Sequence, residues 1–315
     1  MIPVGYEILS VPVFIIGVLL LYKGSDILVE GTSKTAAKIG ISSLIVSVVL
    51  VGFGTSAPEF AISIGAAIQH NSDISLGNII GSCIANILLV LGIAAIIRPI
   101  QIKKSIIKRE APIMLIATLI LVGAAFFNLL DNYRFIGGII FLISFFIFIY
   151  FFVCCAKKER KDTKKTKKGK IGINLLCIFL GITGVIIGAW FLIESAIVIA
   201  EYLNISTYII AVSMVAVGTS LPELVVSAMA SYKNESDIAI GNVLGSNVFN
   251  ILLILGFAAL FIPLRAYESI VDLWILLGVS LIIVPIIITG HKISRIEGVF
   301  MLILYSGFIY YIFFI

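Results

Sequence analysis

Two hexapeptides, Gly54-Thr-Ser-Ala-Pro-Glu59 and Gly218-Thr-Ser-Leu-Pro-Glu223, decide how this chain is read. Each sits in an apolar stretch long enough to cross a bilayer, and each places one carboxylate near the middle of that stretch. A charged group at that depth is costly and is by default a functional-site candidate. The proline before each glutamate removes a backbone donor and frees the carbonyl four residues earlier, at Gly54 and Gly218. Irregular backbone at membrane depth is tolerated only inside protein or along a polar cavity. Each hexapeptide thus gathers a carboxylate, two hydroxyls and loose carbonyls. That all-oxygen set suits hard cations.

The composition around the hexapeptides supports a membrane setting. Of 315 residues, 61% are hydrophobic and 12% charged, and the mean hydropathy is +1.20. A soluble protein could not hide so much apolar surface, so an all-α polytopic membrane protein is expected. Ten transmembrane helices are predicted near 8–30, 41–68, 74–97, 110–128, 135–155, 172–197, 207–231, 238–262, 269–289 and 297–315. No cleaved signal peptide is expected, because Glu7 rather than a basic stretch precedes the first apolar run. Cys83, Cys154, Cys155 and Cys177 lack metal-ligand spacing and are read as small packing residues.

Twenty of the 22 lysines and arginines fall in connections after odd-numbered spans; only Arg134 and Arg265 do not. The count places Lys23, Lys34 and Lys38 after span 1 and nine basic residues in 156–170. By the positive-inside rule the odd connections are cytoplasmic and both termini lie outside. The basic loop 156–170 is read as an orientation-setting linker rather than a lipid-binding or regulatory one.

The chain also repeats itself. Positions 52–92 align without a gap on 216–256, at an offset of 164, with 20 of 41 residues identical. The identities are polar as well as apolar: Ser72-Asp73-Ile74 maps onto Ser236-Asp237-Ile238, and Asn86 maps onto Asn250. Five spans per copy, an odd number, would enter the membrane from opposite sides. This gives three segments: a first five-helix repeat over 1–155 (motif region 54–86), a basic cytoplasmic linker over 156–170, and an inverted second repeat over 171–315 (motif region 218–250). Inverted repeats with interrupted helices point to a secondary transporter with its site at the midplane.

Thr55, Glu59 and Ser63 fall at i, i+4 and i+8, as do Thr219, Glu223 and Ser227, so each trio is expected on one helical face. Asn78, Ser82 and Asn86, with Asn242, Ser246 and Asn250, form second stripes at the same spacing. Gly77, Gly81, Gly241 and Gly245 would allow close helix approach. No Lys or Arg lies within either motif-bearing span, so the missing partner of Glu59 and Glu223 is most simply a cation. Glu30 and Glu194 are repeat-related and read as interfacial carboxylates; His70 and His291 read as surface residues.

With these motifs in hand, the chain resembles the cation/calcium exchanger superfamily, and most of all its prokaryotic sodium/calcium exchangers. The resemblance rests on GTSAPE with GNIIGSCIAN and GTSLPE with GNVLGSNVFN, and it spans both halves. It implies a cell-membrane antiporter exchanging sodium for calcium by alternating access. It also implies that Glu59 and Glu223 bind both ions, with oxygens from Thr55, Ser56, Ser82, Thr219, Ser220 and Ser246. It adds the carbonyls of Gly52 and Ala216 and the amides of Asn86 and Asn250. Some relatives, the potassium-dependent branch among them, carry Asp where Asn250 stands, which argues against potassium. The proton-coupled branch usually has a different first box. Two carboxylates give a charge of −2, which one Ca²⁺ or two Na⁺ would neutralise; a third Na⁺ would make exchange electrogenic. A cation channel is disfavoured because channels build pores from rings across subunits. An enzyme is disfavoured because no nucleophile–histidine pair or phosphate loop is present. No cofactor or nucleic-acid partner is expected. The partners are calcium, sodium and the lipid bilayer, and the plan is compatible with a monomer.

Overall fold

A computed structural model of the chain describes residues 7–162, 171–202, 218–266 and 269–314. It is helical almost throughout. The helices are α1 (Glu7–Ile39), α2 (Ser43–Thr55), α3 (Ala57–Ile68), α4 (Ser72–Ile97), α5 (Ile106–Phe126) and α6 (Arg134–Asp162). They continue as α7 (Ile171–Tyr202), α8 (Leu221–Tyr232), α9 (Ser236–Phe261), α10 (Ile270–Ile288) and α11 (Arg295–Phe314). Among the described residues, eight helices are long and apolar enough to cross a membrane, or nine if the bent pair α2–α3 is one span. The protein is a multi-pass membrane protein. The first part of the predicted seventh span, like most of the basic linker, lies outside the described residues.

Burial sorts the helices into two layers. In α4 and α9, 78% and 89% of the most apolar stretch is buried, against 22–33% in α1, α6, α7, α10 and α11. The first two therefore form the core and the others turn large apolar side chains outward, among them Leu19, Phe146, Ile147 and Phe179. Such a surface is stable only against lipid. Between apolar helices in lipid there is little hydrophobic drive, so close backbone contact matters. α1 lies along α7 through glycines: a Cβ on Gly188 would stand 2.7 Å from the Leu21 nitrogen. α2 crosses α9 just as closely, a Cβ on Gly245 falling 2.7 Å from the Val48 carbonyl.

The ends of the bundle are tied by short backbone links. Strand β1 (Ile100–Gln101) pairs antiparallel with β2 (Lys292–Ile293). After α9, the Leu264 N–H donates to the Leu130 carbonyl at 3.1 Å. Arg134 caps α9 through the Leu260 carbonyl (3.1 Å) and Arg295 caps α4 through the Ile97 carbonyl (3.4 Å).

Three expectations are corrected. Lys23, Lys34 and Lys38 are not in a connection: α1 runs on to Ile39, Lys34 pairs with Glu30 one turn away, and Lys38 sits in the last turn. The trio Thr55, Glu59, Ser63 is not one continuous stripe. Pro58 stands in the first turn of a new helix, the chain bends by 46° at Ser56, and Thr55 stays with α2. Of the four expected close-packing glycines, Gly241 and Gly245 do pack tightly, against Leu44 and Val48. At Gly77 and Gly81 no described residue lies within 4 Å of a built Cβ.

Candidate ion site

The breaks position the carboxylates. Pro58 and Pro222 each lie in the first turn of a helix that starts within the bundle, α3 and α8. Glu59 and Glu223 follow at once, in the first turn, where the free N–H groups and the helix dipole favour a negative charge. Both are 0% exposed.

The second-box residues hold these breaks in shape, and they do so twice at the same offset. Asn78 Nδ2 donates to the Glu59 carbonyl (3.3 Å) and the Ser63 hydroxyl (2.9 Å). Asn242 Nδ2 donates to the Glu223 carbonyl (3.3 Å) and the Ser227 hydroxyl (3.0 Å). Ser63 donates on to the Ser75 carbonyl (3.2 Å) and Ser227 to Ala239 (3.4 Å). Ser63 and Ser227 are thus spent on scaffolding. The turns that follow α3 and α8 carry His70 and Asn234, with φ of 59° and 64°. They too are 164 residues apart.

The motifs then cross. Ser56 of the first donates to Glu223 Oε1 at 3.2 Å, and Ser246 donates to the same oxygen at 3.3 Å. Thr55 donates to Asn242 Oδ1 (3.1 Å) and lies 3.5 Å from the Ser246 hydroxyl. Ser246 also reaches the Gly52 carbonyl at 3.3 Å. In the other direction Ser82 and Thr219 share a hydrogen bond of 3.1 Å. The structure therefore brings together Glu59, Glu223, Gly52, Thr55, Ser56, Ser82, Thr219 and Ser246. Ser220 is buried as the residue preceding α8. Ala216 lies outside the described residues.

Asn86 and Asn250 are fully buried, and each sits at the start of a wider helical turn, at Asn86–Val90 and Phe249–Ile254. Such π turns recur at functional sites because the extra residue turns side chains out of the regular register. What is left over is informative. Among the described residues, both oxygens of Glu59, Glu223 Oε2, Asn86 Oδ1 and both amide atoms of Asn250 are buried without a hydrogen-bond partner. An unpartnered buried polar atom costs about 1–3 kcal/mol, more if charged. Five of these six atoms are oxygens, the chemistry a hard cation takes.

Two cavities flank the cluster. One of about 130 Å³ is walled by Phe53, Ser56, Phe60 and Phe249. The other, of about 410 Å³, runs from Glu194 and Trp190 to Gly218 and Thr219. Glu194 is thus exposed at the end of a cavity that reaches the second motif, whereas its counterpart Glu30 pairs with Lys34.

One contributor escaped the sequence reading. Asn247, 1% exposed, donates to the Cys83 carbonyl (3.2 Å) and accepts from Asn86 Nδ2 (3.0 Å). Its signal was present: within the aligned boxes, Asn247 is the one polar side chain that faces a cysteine, Cys83, in the other copy.

Fold and site together define a multi-pass membrane protein whose most buried helices converge on paired carboxylates ringed by neutral oxygens. The family described as sodium/calcium exchanger protein matches residues 9–154 and 173–314, and the chain belongs to that family. It is 34% identical to the sodium/calcium exchanger MaX1 of Methanosarcina acetivorans, over 96% of this chain and 98% of that one. Its fold is similar to the sodium-calcium exchanger NCX_Mj soaked with zero Na⁺ and Ca²⁺, with a TM-score of 0.82, 35% identity, and coverage of 97% and 99%. A shorter likeness, 34% over 105 residues, is to sodium/potassium/calcium exchanger 2 of Homo sapiens; it covers 33% of this chain and 16% of that one.

Proposed function

We propose that the protein is a cell-membrane antiporter that exchanges Na⁺ for Ca²⁺ by alternating access, with net charge moved in each cycle. The observation that carries it is the pair of fully buried carboxylates, three of whose four oxygens have no described partner. Two ionised carboxylates without counter-charge cost several kcal/mol each in a low-dielectric interior. One Ca²⁺ or two Na⁺ would neutralise them, so the helices would rearrange only when loaded. Glu59 and Glu223 would ligate both ions. Hydroxyls of Thr55, Ser56, Ser82, Thr219, Ser220 and Ser246, the Gly52 and Ala216 carbonyls, and the Asn86 and Asn250 amides would complete the set. Surplus neutral oxygens would take a third Na⁺. The asparagine at position 250 keeps the site at two formal charges and speaks against a further cation such as potassium.

The reading includes ten spans in two inverted repeats, 1–155 and 171–315, with 156–170 and the other odd connections in the cytoplasm. The recurrence of the Asn78 and Asn242 networks at one offset supports the repeats. The charge sorting supports the orientation.

The test is ⁴⁵Ca²⁺ uptake into proteoliposomes. Sodium-loaded vesicles should take up calcium, and faster when the interior is made positive. Uptake indifferent to sodium and driven by a pH gradient would overturn the reading. For orientation, a cysteine placed by Lys164→Cys should resist impermeant reagents from outside intact cells. Ready labelling there would reverse the assigned sides.

A further inference from the structure

We propose that Asn247 is a positioning residue: it dictates that Asn86 presents its amide oxygen, and not its NH₂ group, to the proposed ion site. The inference rests on the ion site proposed above and goes beyond it, by naming a residue outside the ligand set that controls one ligand.

The argument is one of hydrogen-bond polarity along a chain of three groups. The Cys83 carbonyl can only accept. The amide of Asn247 that meets it at 3.2 Å must therefore offer its Nδ2 end. That fixes the other end, and Asn247 Oδ1 points the opposite way. This oxygen can also only accept, so Asn86, 3.0 Å away, must offer Nδ2 in turn. The free end of Asn86 is then its Oδ1, buried and without a described partner. The backbone of residue 83 thus sets, through two side chains, the sign of the dipole that Asn86 turns to its surroundings. The result matters for a cation site because an amide is two-faced. Its oxygen ligates a cation, whereas its NH₂ group repels one.

The other half of the molecule lacks the device. The position related to Asn247 is Cys83, whose thiol meets the Asn247 carbonyl at 3.9 Å. The Cys83 side chain also meets the Asn250 amide, but a thiol is a weak donor and a weak acceptor and so does not dictate which end of the amide faces it. Accordingly neither Oδ1 nor Nδ2 of buried Asn250 makes a hydrogen bond of ordinary geometry among the described residues. Asn86 is a one-way oxygen ligand, whereas Asn250 has only the weak contact of the Cys83 thiol to orient its amide. The two asparagines, alike in the repeat, are not equivalent in use.

The experiment is calcium-dependent exchange in proteoliposomes, with equilibrium ⁴⁵Ca²⁺ binding as a second readout. The variants are Asn86→Ala, Asn247→Leu, their double, and the exchange Cys83→Asn with Asn247→Cys, each checked for monodispersity. Asn247→Leu keeps the branched shape and removes the hydrogen bonds to Cys83, Asn86 and the Met114 sulfur. Half-saturating calcium should rise about tenfold, more than the maximal rate falls. Asn86→Ala should do the same, and the double should be no worse than the worse single variant, because position 247 acts through Asn86. In the Cys83→Asn, Asn247→Cys protein the anchor moves to the other side. Removing Asn250 should then cost the larger share and removing Asn86 the smaller. Additive penalties in the double, or an Asn86→Ala penalty unchanged in the exchanged protein, would overturn the inference and leave the ion site standing. If Asn247→Leu does not fold, the exchanged protein alone decides, since it keeps an asparagine and a cysteine across the same contact. Were Asn86→Ala and Glu59→Gln both to leave calcium binding intact, the ion site itself would be refuted, and this inference with it.

Discussion

Glu59 and Glu223 occupy the same place in the same six-residue motif, yet their surroundings differ. Glu223 Oε1 accepts from Ser56 and Ser246, at 3.2 and 3.3 Å. At the related positions stand Ser220 and Ser82, which could serve Glu59 in the same way. Ser82 bonds Thr219 and interacts with Glu59 more weakly, and neither Glu59 oxygen accepts a hydrogen bond of ordinary geometry among the described residues. Identical motifs have therefore settled into non-identical networks. In a protein built of two related halves, that asymmetry is what one member of a pair of conformations should show. In the alternating-access cycle proposed above, the hydroxyls that serve one carboxylate here would serve the other when the halves exchange roles.

The comparison is broken most severely by removing charge. Glu59→Gln and Glu223→Gln each halve the formal charge at the centre while keeping the shape. Despite their different hydrogen bonds, both should nearly abolish ⁴⁵Ca²⁺ exchange, because charge neutralisation is shared by the pair. Wild-type exchange in both well-folded variants would mean that the central pair is not where calcium binds. A large loss in one variant and a small loss in the other would mean that the two halves do not share the ion.

A smaller effect reads the asymmetry itself. Ser56→Ala removes a hydrogen bond to a buried carboxylate, and Ser220→Ala removes none that the described structure makes. Hydrogen bonds to charged groups contribute about 1.5–3 kcal/mol, whereas neutral contacts between membrane helices average about 0.6 kcal/mol. The apparent calcium affinity measured by exchange should fall further for Ser56→Ala. Equal losses would indicate that both serines contact carboxylates over the transport cycle, and that the resting asymmetry has no energetic weight.

Much of this was written locally in the chain. The helical, multi-span character follows from apolar length, which needs no tertiary information. The carboxylates and hydroxyls of the site follow from two short motifs, and Pro58 and Pro222 announced the irregular backbone beside Glu59 and Glu223. What stayed hidden depends on contacts between distant residues. A period of four placed Thr55 with Glu59, but the 46° bend at Ser56 sends the Thr55 hydroxyl across to Asn242 instead. The wide turns at Asn86 and Phe249 carry no sequence mark. Asn247 bonds to residues more than 160 positions away. Lys34 and Lys38 were misplaced because α1 outruns its apolar stretch, held by tertiary contacts and a charge pair rather than by hydropathy.

The smallest effect concerns the aspartates that open the two core helices. Asp73 lies in the first turn of α4 and Asp237 in the first turn of α9, so both gain from the helix dipole, by about 0.3–1 kcal/mol. Only Asp237 also has an ion pair. Its side chain is 8% exposed and pairs with Lys103, and the Ser43 hydroxyl lies 3.5 Å away. Asp73 is exposed and receives a single hydrogen bond, from the adjacent Ser72 at 3.0 Å. Replacement by asparagine removes the dipole contribution from both and the ion pair from one. Lys103, 62% exposed, would return to water at little cost, so the difference between the variants should be modest, about 1 kcal/mol. Thermal unfolding in detergent should show Asp237→Asn melting below the parent by a few degrees and Asp73→Asn close to it. Equal shifts would assign no stabilising role to the Lys103 pair. High salt provides the second arm: if the pair matters, the gap between the two variants should shrink as the more exposed partner is screened.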